Sequence, residues 1–94
     1  MKILVTGGKG FIGSKIVEIL SVDHKVTVID NSDTYNIMSN TELQKLYTWR
    51  MRNWNRKNVQ IINGDVLDRL VCSKAFSHNP DIVIHLATYP RAKI

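Results

Sequence analysis

The sequence predicts an α/β fold with a parallel sheet, and three observations support that prediction. Four short runs rich in β-branched residues alternate with three segments of helical spacing, in β-α-β-α-β-α-β order. Each helical segment has about ten residues or more, which suits a crossover between parallel strands. A cluster of glycines directly follows the first run. Strands joined in this way form a parallel sheet through right-handed crossovers.

The first β-α-β unit is the clearest part of the pattern. The run Lys2–Thr6 is apolar on successive residues, so we expect a strand that is buried on both faces. The cluster Gly7–Gly10 ends that strand, and Phe11–Ser21 has the apolar spacing of a helix. Lys25–Asp30 is predicted to be the second strand, and a polar, turn-rich loop over residues 31–40 follows it.

The later elements begin and end at recognisable capping residues. Ser39, with Glu42 three residues later, is a capping box that opens a helix to about Asn53. Val59–Ile62 is the third predicted strand, and Asn63–Gly64 ends it.

The last unit is a short helix followed by a strand. Asp68 can cap a helix that runs to about Ser77, and Asn79–Pro80 ends it. The fourth predicted strand is Asp81–Ala87.

Size and composition exclude several classes of protein. With 94 residues, 44% of them hydrophobic and 22% charged, the chain suits one small folded domain and not a disordered segment. No apolar run approaches the roughly 18 residues that span a bilayer, and Ile3–Val5 is too short for a signal peptide. We therefore predict a cytoplasmic protein. Cys72 is the only cysteine, which excludes an internal disulfide framework and a multi-cysteine metal site.

The charge balance leaves two interpretations of one segment open. Thirteen Lys and Arg against eight Asp and Glu give a formal charge of +5, which favours anionic partners. Basic residues concentrate around Trp49 and Trp54, as in a surface that binds nucleic acid. The same segment also has an apolar stripe typical of a helix packed on a core, which we favour over nucleic-acid binding. The stripe consists of Leu43, Leu46, Tyr47, Met51 and Trp54.

The most informative motif is Gly7-x-x-Gly10-x-x-Gly13, placed between the first strand and the first helix. Without side chains, backbone N–H groups at a helix N-terminus can approach a diphosphate. Asp30 ends the second strand 20 residues after Gly10, where a carboxylate can accept hydrogen bonds from both ribose hydroxyls of a dinucleotide. That carboxylate would repel a 2′-phosphate, and no arginine follows it closely. The pattern therefore predicts NAD, not NADP, as the cofactor.

Four stretches together resemble the extended short-chain dehydrogenases/reductases, in particular the NAD-dependent epimerases and dehydratases that act on nucleotide sugars. They are Thr6–Ser14, Ile29–Asn31, Gly64–Val66 and His85–Ala87. The resemblance spans the chain and implies the N-terminal half of a Rossmann-type sheet, in one NAD(P)-binding domain over residues 1–94. The loop from Asn31 is most similar to that of UDP-sugar 4-epimerases.

The resemblance also implies roles for single residues. The backbone of Phe11 and Ile12 would meet the diphosphate, and Asp30 with Asn31 would hold the adenosine ribose. Asp65 would bond the adenine amino group, and Val66 would line the adenine pocket. Leu86 and Ala87 would run past the cofactor, beside Thr88, where the family more often has alanine.

The catalytic residues of that family have no counterpart here. They are a Ser or Thr after the fifth strand and a Tyr-x-x-x-Lys pair on the following helix. Tyr89-x-x-x-Lys93 has the right spacing, but it contains Pro90 and directly follows the fourth strand, so we interpret it as coincidence. We expect the chain to bind NAD without catalysing a reaction, and a nucleotide sugar only if a C-terminal part is present. The alternative is a non-enzymatic binding or assembly module that keeps the glycine loop for its structure.

The fourth strand carries a further expectation. In the family a fifth strand covers it, whereas here Ile82, Val83 and Ile84 would form an exposed edge. We therefore expect self-association, or a missing partner segment, at this edge. No zinc-ligand spacing is found among the three histidines and Cys72, so no metal is expected.

Overall fold

The computed structural model describes residues 1–31 and 39–87, and within them it contains the predicted alternation of strands and helices. The one unpredicted element is a 3₁₀ turn before β3. In chain order the elements are β1 Lys2–Thr6, α1 Phe11–Leu20, β2 Lys25–Asp30, α2 Asn40–Arg50, the 3₁₀ turn Arg56–Asn58, β3 Val59–Asn63, α3 Arg69–Phe76 and β4 Ile82–His85.

The four strands form one parallel sheet in the order β3-β2-β1-β4. The chain builds β1, β2 and β3 towards one side, and then crosses back to place β4 on the other side of β1. Thr6 at the end of β1 is level with Ile29 of β2 and with His85 of β4. This reversal of strand order creates a crevice at the carboxyl ends of β1 and β4, where open α/β sheets bind ligands.

The core lies on both faces of the sheet, and β1 contributes to each. Ile3 and Val5 pack on one face with residues of α1 and the segment after α2, and we call this the α1 face. Leu4 packs on the opposite face with Ile29 and with Ala75 of α3, and we call this the α3 face. The prediction that the first strand is buried on both faces is therefore confirmed.

The capping residues are confirmed. The far ends of α1 and β3 differ from the prediction by one residue, and those of α2 and β4 differ by more. The hydroxyl of Ser39 accepts a hydrogen bond from the amide of Glu42 at 3.2 Å, and Asp68 caps α3 through the amide of Leu70 at 2.9 Å. Helix α2 ends at Arg50 and not near Asn53. Strand β4 ends at His85 and not at Ala87. Beyond the end of β4, the amides of Leu86 and Ala87 donate to the hydroxyl of Thr6 on the neighbouring strand β1.

The apolar stripe of α2 packs as predicted. Leu43, Tyr47 and Trp54 are buried, and Leu46 and Met51 are half-buried. Cys72 of α3 is half-buried, and its thiol donates to the carbonyl oxygen of Val66 at 3.1 Å. Within residues 1–31 and 39–87, no helix has the length and apolar character required to cross a membrane.

Candidate functional site

The sequence-predicted site residues are brought together at one edge of the sheet. Because the strands are parallel, their carboxyl ends all lie at this edge. The glycine loop leaves β1 there, Asp30 ends β2, Asp65 and Val66 follow β3, and Leu86 and Ala87 follow β4. Four segments that are far apart in sequence thus face one crevice.

Gly7 makes the turn out of β1 possible. Its φ angle is +74°, a conformation that residues with a side chain rarely adopt. A Cβ atom at this position would stand 2.9 Å from the amide nitrogen of Ala87 and 3.0 Å from the carbonyl carbon of Leu86. The end of β4 therefore lies against bare backbone of the glycine loop.

The start of α1 is also free of side chains on the side that faces the loop. Gly10 is the N-cap residue and supplies no side chain to cap the first amides of the helix. A Cβ atom at Gly13 would collide with the carbonyl oxygen of Gly7. The side chains of Phe11 and Ile12 point away into solvent, at 80% and 65% exposure. The helix thus presents its N-terminal amides and the positive end of its dipole to the crevice.

Asp30 is half-buried at the end of β2 and contacts the glycine loop directly. Its Oδ2 atom accepts a hydrogen bond from the amide of Lys9 at 2.9 Å. One carboxylate oxygen therefore helps to hold the loop, at the position where the sequence predicts the ribose contact. Asn31 follows it and is exposed.

Lys9 fastens the tip of the loop to three other elements. Its ammonium group donates to Oδ1 of Asn63 at 3.0 Å and stands 5.2 Å from the centre of the Tyr47 ring. Its carbonyl oxygen accepts a hydrogen bond from Nη1 of Arg50 at 3.1 Å. The sequence did not single out Arg50 or Asn63 for the loop. Both lie far from Lys9 in the sequence, and their contacts with it arise only in the folded chain.

Thr6 is another positioning residue that the sequence did not indicate. Its buried hydroxyl accepts hydrogen bonds from the amides of Leu86 at 3.0 Å and Ala87 at 3.1 Å. It also lies 2.6 Å from Nδ1 of His85. The imidazole of His85 is thus hydrogen-bonded to the end of β1, although its side chain is exposed.

Beyond β3 the predicted adenine-side residues are placed as follows. Asp65 is exposed, and its Oδ1 atom accepts a hydrogen bond from the amide of Leu67 at 2.9 Å. Val66 is half-buried and packs against the core of the α3 face. Thr88 and the Tyr89-x-x-x-Lys93 pattern lie outside the described residues.

The site supplies donors for an anion and an acceptor for hydroxyl groups, and no metal ligands are gathered near it. Backbone amides and a helix dipole favour a diphosphate, and the carboxylate of Asp30 lies one strand away. Among the described residues, no group of three His, Cys, Asp or Glu side chains could hold a metal ion. A parallel sheet with this crevice and this loop defines a dinucleotide-binding protein.

Comparison with known proteins defines the class further. The sequence model of the NAD dependent epimerase/dehydratase family matches residues 3–93. The chain belongs to this family, and its cofactor is NAD. The chain is 39% identical over 89 residues to the UDP-glucose 4-epimerase of Haemophilus influenzae, covering 93% of this chain and 24% of that protein.

Two solved structures are similar in fold as well as in sequence. The UDP-N-acetylglucosamine 4-epimerase of Methanobrevibacter ruminantium M1, in complex with UDP-N-acetylmuramic acid, has a TM-score of 0.69 and 36% identity, covering 95% of this chain and 24% of that one. The UDP-glucose 4-epimerase of Bifidobacterium longum, in complex with NAD+ and UDP, has a TM-score of 0.63 and 32% identity, covering 95% and 25%. The chain therefore spans about a quarter of the length of its relatives. The predicted family and Rossmann-type fold are confirmed.

Proposed function

We propose that residues 1–94 form one NAD-binding domain, the N-terminal portion of a nucleotide-sugar epimerase/dehydratase. The observation that carries this proposal is the glycine loop, which brings bare backbone and the amides of α1 to the crevice beside Asp30. The chain covers about a quarter of its relatives, which supports a cofactor-binding role without the rest of the active site. The substrate class follows from the UDP-sugar 4-epimerases among those relatives.

The cofactor would lie across the carboxyl ends of the strands. The glycine loop leaves space for the diphosphate at Gly7, Gly10 and Gly13. The amides of Phe11 and Ile12 would bind this group. When bound, NAD supplies a hydride acceptor.

The adenosine half would occupy the β2–β3 side of the crevice. Asp30 and Asn31 would accept hydrogen bonds from the ribose hydroxyls. Asp65 would accept a hydrogen bond from the adenine amino group, and Val66 would pack against the adenine ring. Leu86 and Ala87 would border the cofactor from the β4 side, held there by the hydroxyl of Thr6.

Affinity for NAD tests this proposal at one residue. We expect Asp30→Ala to weaken NAD binding by about 1–3 kcal/mol, because ribose hydroxyls would lose a charged acceptor. Isothermal titration calorimetry of the 94-residue protein measures it. Asp23→Ala is the matched control, because it removes an exposed carboxylate in the turn before β2, at the opposite edge of the sheet. Equal affinity of both variants and the parent protein would contradict the proposed site.

Turnover is the second test. We expect no interconversion of UDP-glucose and UDP-galactose by the 94-residue chain with NAD, because a catalytic Ser or Thr and a helical Tyr-x-x-x-Lys pair would lie in a further segment. A chromatographic assay of both sugars over several hours measures this. Sustained turnover by the isolated chain would overturn the non-catalytic part of the proposal and leave NAD binding standing.

A non-enzymatic binding or assembly module is the second candidate, favoured by the edge of β4, which pairs only with β1 among the described residues. Ile82 and Val83 of this strand are 43% and 45% exposed. In this alternative the glycine loop serves only to pack α1 on the sheet, and Asp30→Ala leaves NAD affinity unchanged. Self-association or a partner strand at this edge is compatible with both candidates.

A cytoplasmic location belongs to the same proposal. The single cysteine leaves no internal disulfide, as is usual for proteins of a reducing compartment.

A further inference from the structure

A cleft at the amino-terminal edge of the sheet lies at the opposite end of the strands from the glycine loop. It has a volume of about 410 Å³, which is within the range of small-molecule sites. The amino ends of β1, β2 and β3 form its floor, and the turn after α3 forms one wall. Its polar lining includes Lys2, Lys25, Lys57, Thr27, Gln60 and His78.

The cleft exists because α3 covers only part of the α3 face. On this face the first residues of β1, β2 and β3 are polar, and apolar residues follow them along each of these strands. Lys2 precedes Leu4 by two residues, and Gln60 precedes Ile62 in the same way, so each pair shares a face. Helix α3 packs on the apolar part through Ala75 and ends at Phe76. The polar part is left as an open depression.

The cleft gathers positive charge that the described residues do not neutralise. Lys2 and Lys25 are register partners on neighbouring strands, so their side chains leave the sheet side by side. Lys57 lies next to them, in the 3₁₀ turn before β3. The described lining contains no carboxylate, and none of the three ammonium groups forms a salt bridge within residues 1–31 and 39–87.

The negative groups near the cleft carry less charge than its three ammonium groups. Asp81 accepts a hydrogen bond from the backbone amide of Lys2 at 2.8 Å, and it does not line the cleft. The carboxyl end of α3 adds about half a negative charge. Three ammonium groups therefore leave the cleft net positive, and like charges placed side by side on a sheet cost stability that an anion would recover.

We propose that this cleft binds a small anion that carries two or more phosphate groups. Lysine ammonium groups bind phosphate as point charges, and the side chains of Thr27 and Gln60 add neutral hydrogen-bond donors. The site lies at the other end of the strands from the NAD crevice, so both ligands can bind together. This inference goes beyond the proposed function and does not depend on it.

The test is a titration of the isotope-labelled protein with inorganic pyrophosphate at constant ionic strength, followed by amide NMR shifts. Residue-resolved shifts distinguish binding at the cleft from binding at the glycine loop. We expect saturable shifts at Lys2, Lys25, Asn58 and His78. Lys25→Gln and Lys57→Gln should each raise the dissociation constant about two- to fivefold, because each removes one partly screened charge.

Lys45→Gln is the matched control, because it removes one exposed positive charge from α2, which packs on the other side of the sheet. Its dissociation constant should equal that of the parent protein. An equal loss in all three variants would reduce the effect to general charge attraction and overturn the proposal. Shifts confined to the glycine loop, or none, would also overturn it. So would a single-stranded oligonucleotide that binds more tightly than pyrophosphate and shifts Trp49.

Discussion

Gly7 illustrates how strictly a single residue can be constrained at this site. Two independent features disfavour a side chain at this position: the left-handed backbone conformation, and the close backbone atoms of Leu86 and Ala87. The neighbouring atoms belong to the main chain, so they cannot rotate away. The position therefore requires glycine for the fold itself, whether or not a cofactor is bound.

We expect Gly7→Ala to lower the free energy of unfolding by about 2–3 kcal/mol, from the strained φ angle and the displaced end of β4. Urea unfolding without NAD measures it. Gly10→Ala is the control, because the φ angle of Gly10 is −69° and its nearest contact to a Cβ would be 3.2 Å. Gly10→Ala should lower the free energy of unfolding by clearly less than Gly7→Ala. Equal losses would show that conformation at Gly7 is not the cause.

Thr6 supports a prediction about the neighbouring strand end. Thr6→Val keeps the shape of the side chain but removes the acceptor of the Ala87 amide, at a cost of about 1–3 kcal/mol. Hydrogen exchange of that amide should accelerate at least tenfold in Thr6→Val and stay slow in Thr6→Ser. Equal exchange rates of the Ala87 amide in Thr6→Val and in the parent protein would contradict this role of the hydroxyl.

The residues of the site differ in how readily the sequence reveals them. Gly7 and Asp30 were predictable because their spacing follows from the turn out of one strand and the end of the next. Thr6 acts through Leu86, which lies 80 residues away in the sequence. Lys9 acts through Asn63, which lies 54 residues away. Such pairs depend on which strands become neighbours, so sequence spacing alone does not indicate them.

At the scale of elements, α2 and the segment that follows it contain two tryptophans, and only the one beyond the helix is buried. The indole nitrogen of Trp54 donates to the carbonyl oxygen of Ser14 at 2.9 Å, and its ring is buried in the core of the α1 face. Trp49 is 60% exposed, and its ring contacts the guanidinium of Arg52, 3.7 Å from the ring centre. The first holds this segment against α1, and the second lies on the surface.

We expect Trp54→Phe to lower the free energy of unfolding by about 1–2 kcal/mol, because it loses a buried hydrogen bond and part of a packed ring. Trp49→Phe should change it by less than about 0.5 kcal/mol, as is usual for an exposed site. Urea unfolding followed by far-UV circular dichroism compares the two. A larger effect at Trp49 would contradict the packing described for this segment.

The beginnings of elements were predicted better than their ends. Ser39 and Asp68 mark helix starts because a side chain there bonds an amide two or three residues later, which is a local event. The end of α2 at Arg50 has no such local signal. Arg50 reaches the carbonyl oxygen of Lys9, and the following turn carries Trp54 to α1. Tertiary contacts therefore decide where this helix stops.

The surface of the whole molecule carries many large apolar side chains. Besides Ile82 and Val83 of β4, several large side chains of α1, α3 and the loops are at least half exposed. They are Phe11, Ile12, Ile19, Val22, Leu67, Leu70 and Phe76. An open strand edge beside exposed apolar side chains is a surface that another strand can cover.

We expect the 94-residue chain to form dimers or larger assemblies at tens of micromolar, as measured by sedimentation velocity. Val83→Lys should shift the population towards monomer, because a charge on the edge strand opposes strand addition. Gln44→Lys places the same charge on an exposed polar position of α2 and serves as the control. A strictly monomeric parent protein would contradict association at this edge.

The order of elements, the helix starts, the glycine turn and the carboxylate at the end of β2 could be predicted from the amino-acid sequence, because each depends on residues within one turn or one strand. The folded structure was needed to show that β4 lies beside β1, that Thr6 and Lys9 connect the glycine loop to its surroundings, and that three lysines line a cleft at the opposite edge. These features arise from strand order and register, which bring distant residues together. No local pattern in the chain encodes such contacts.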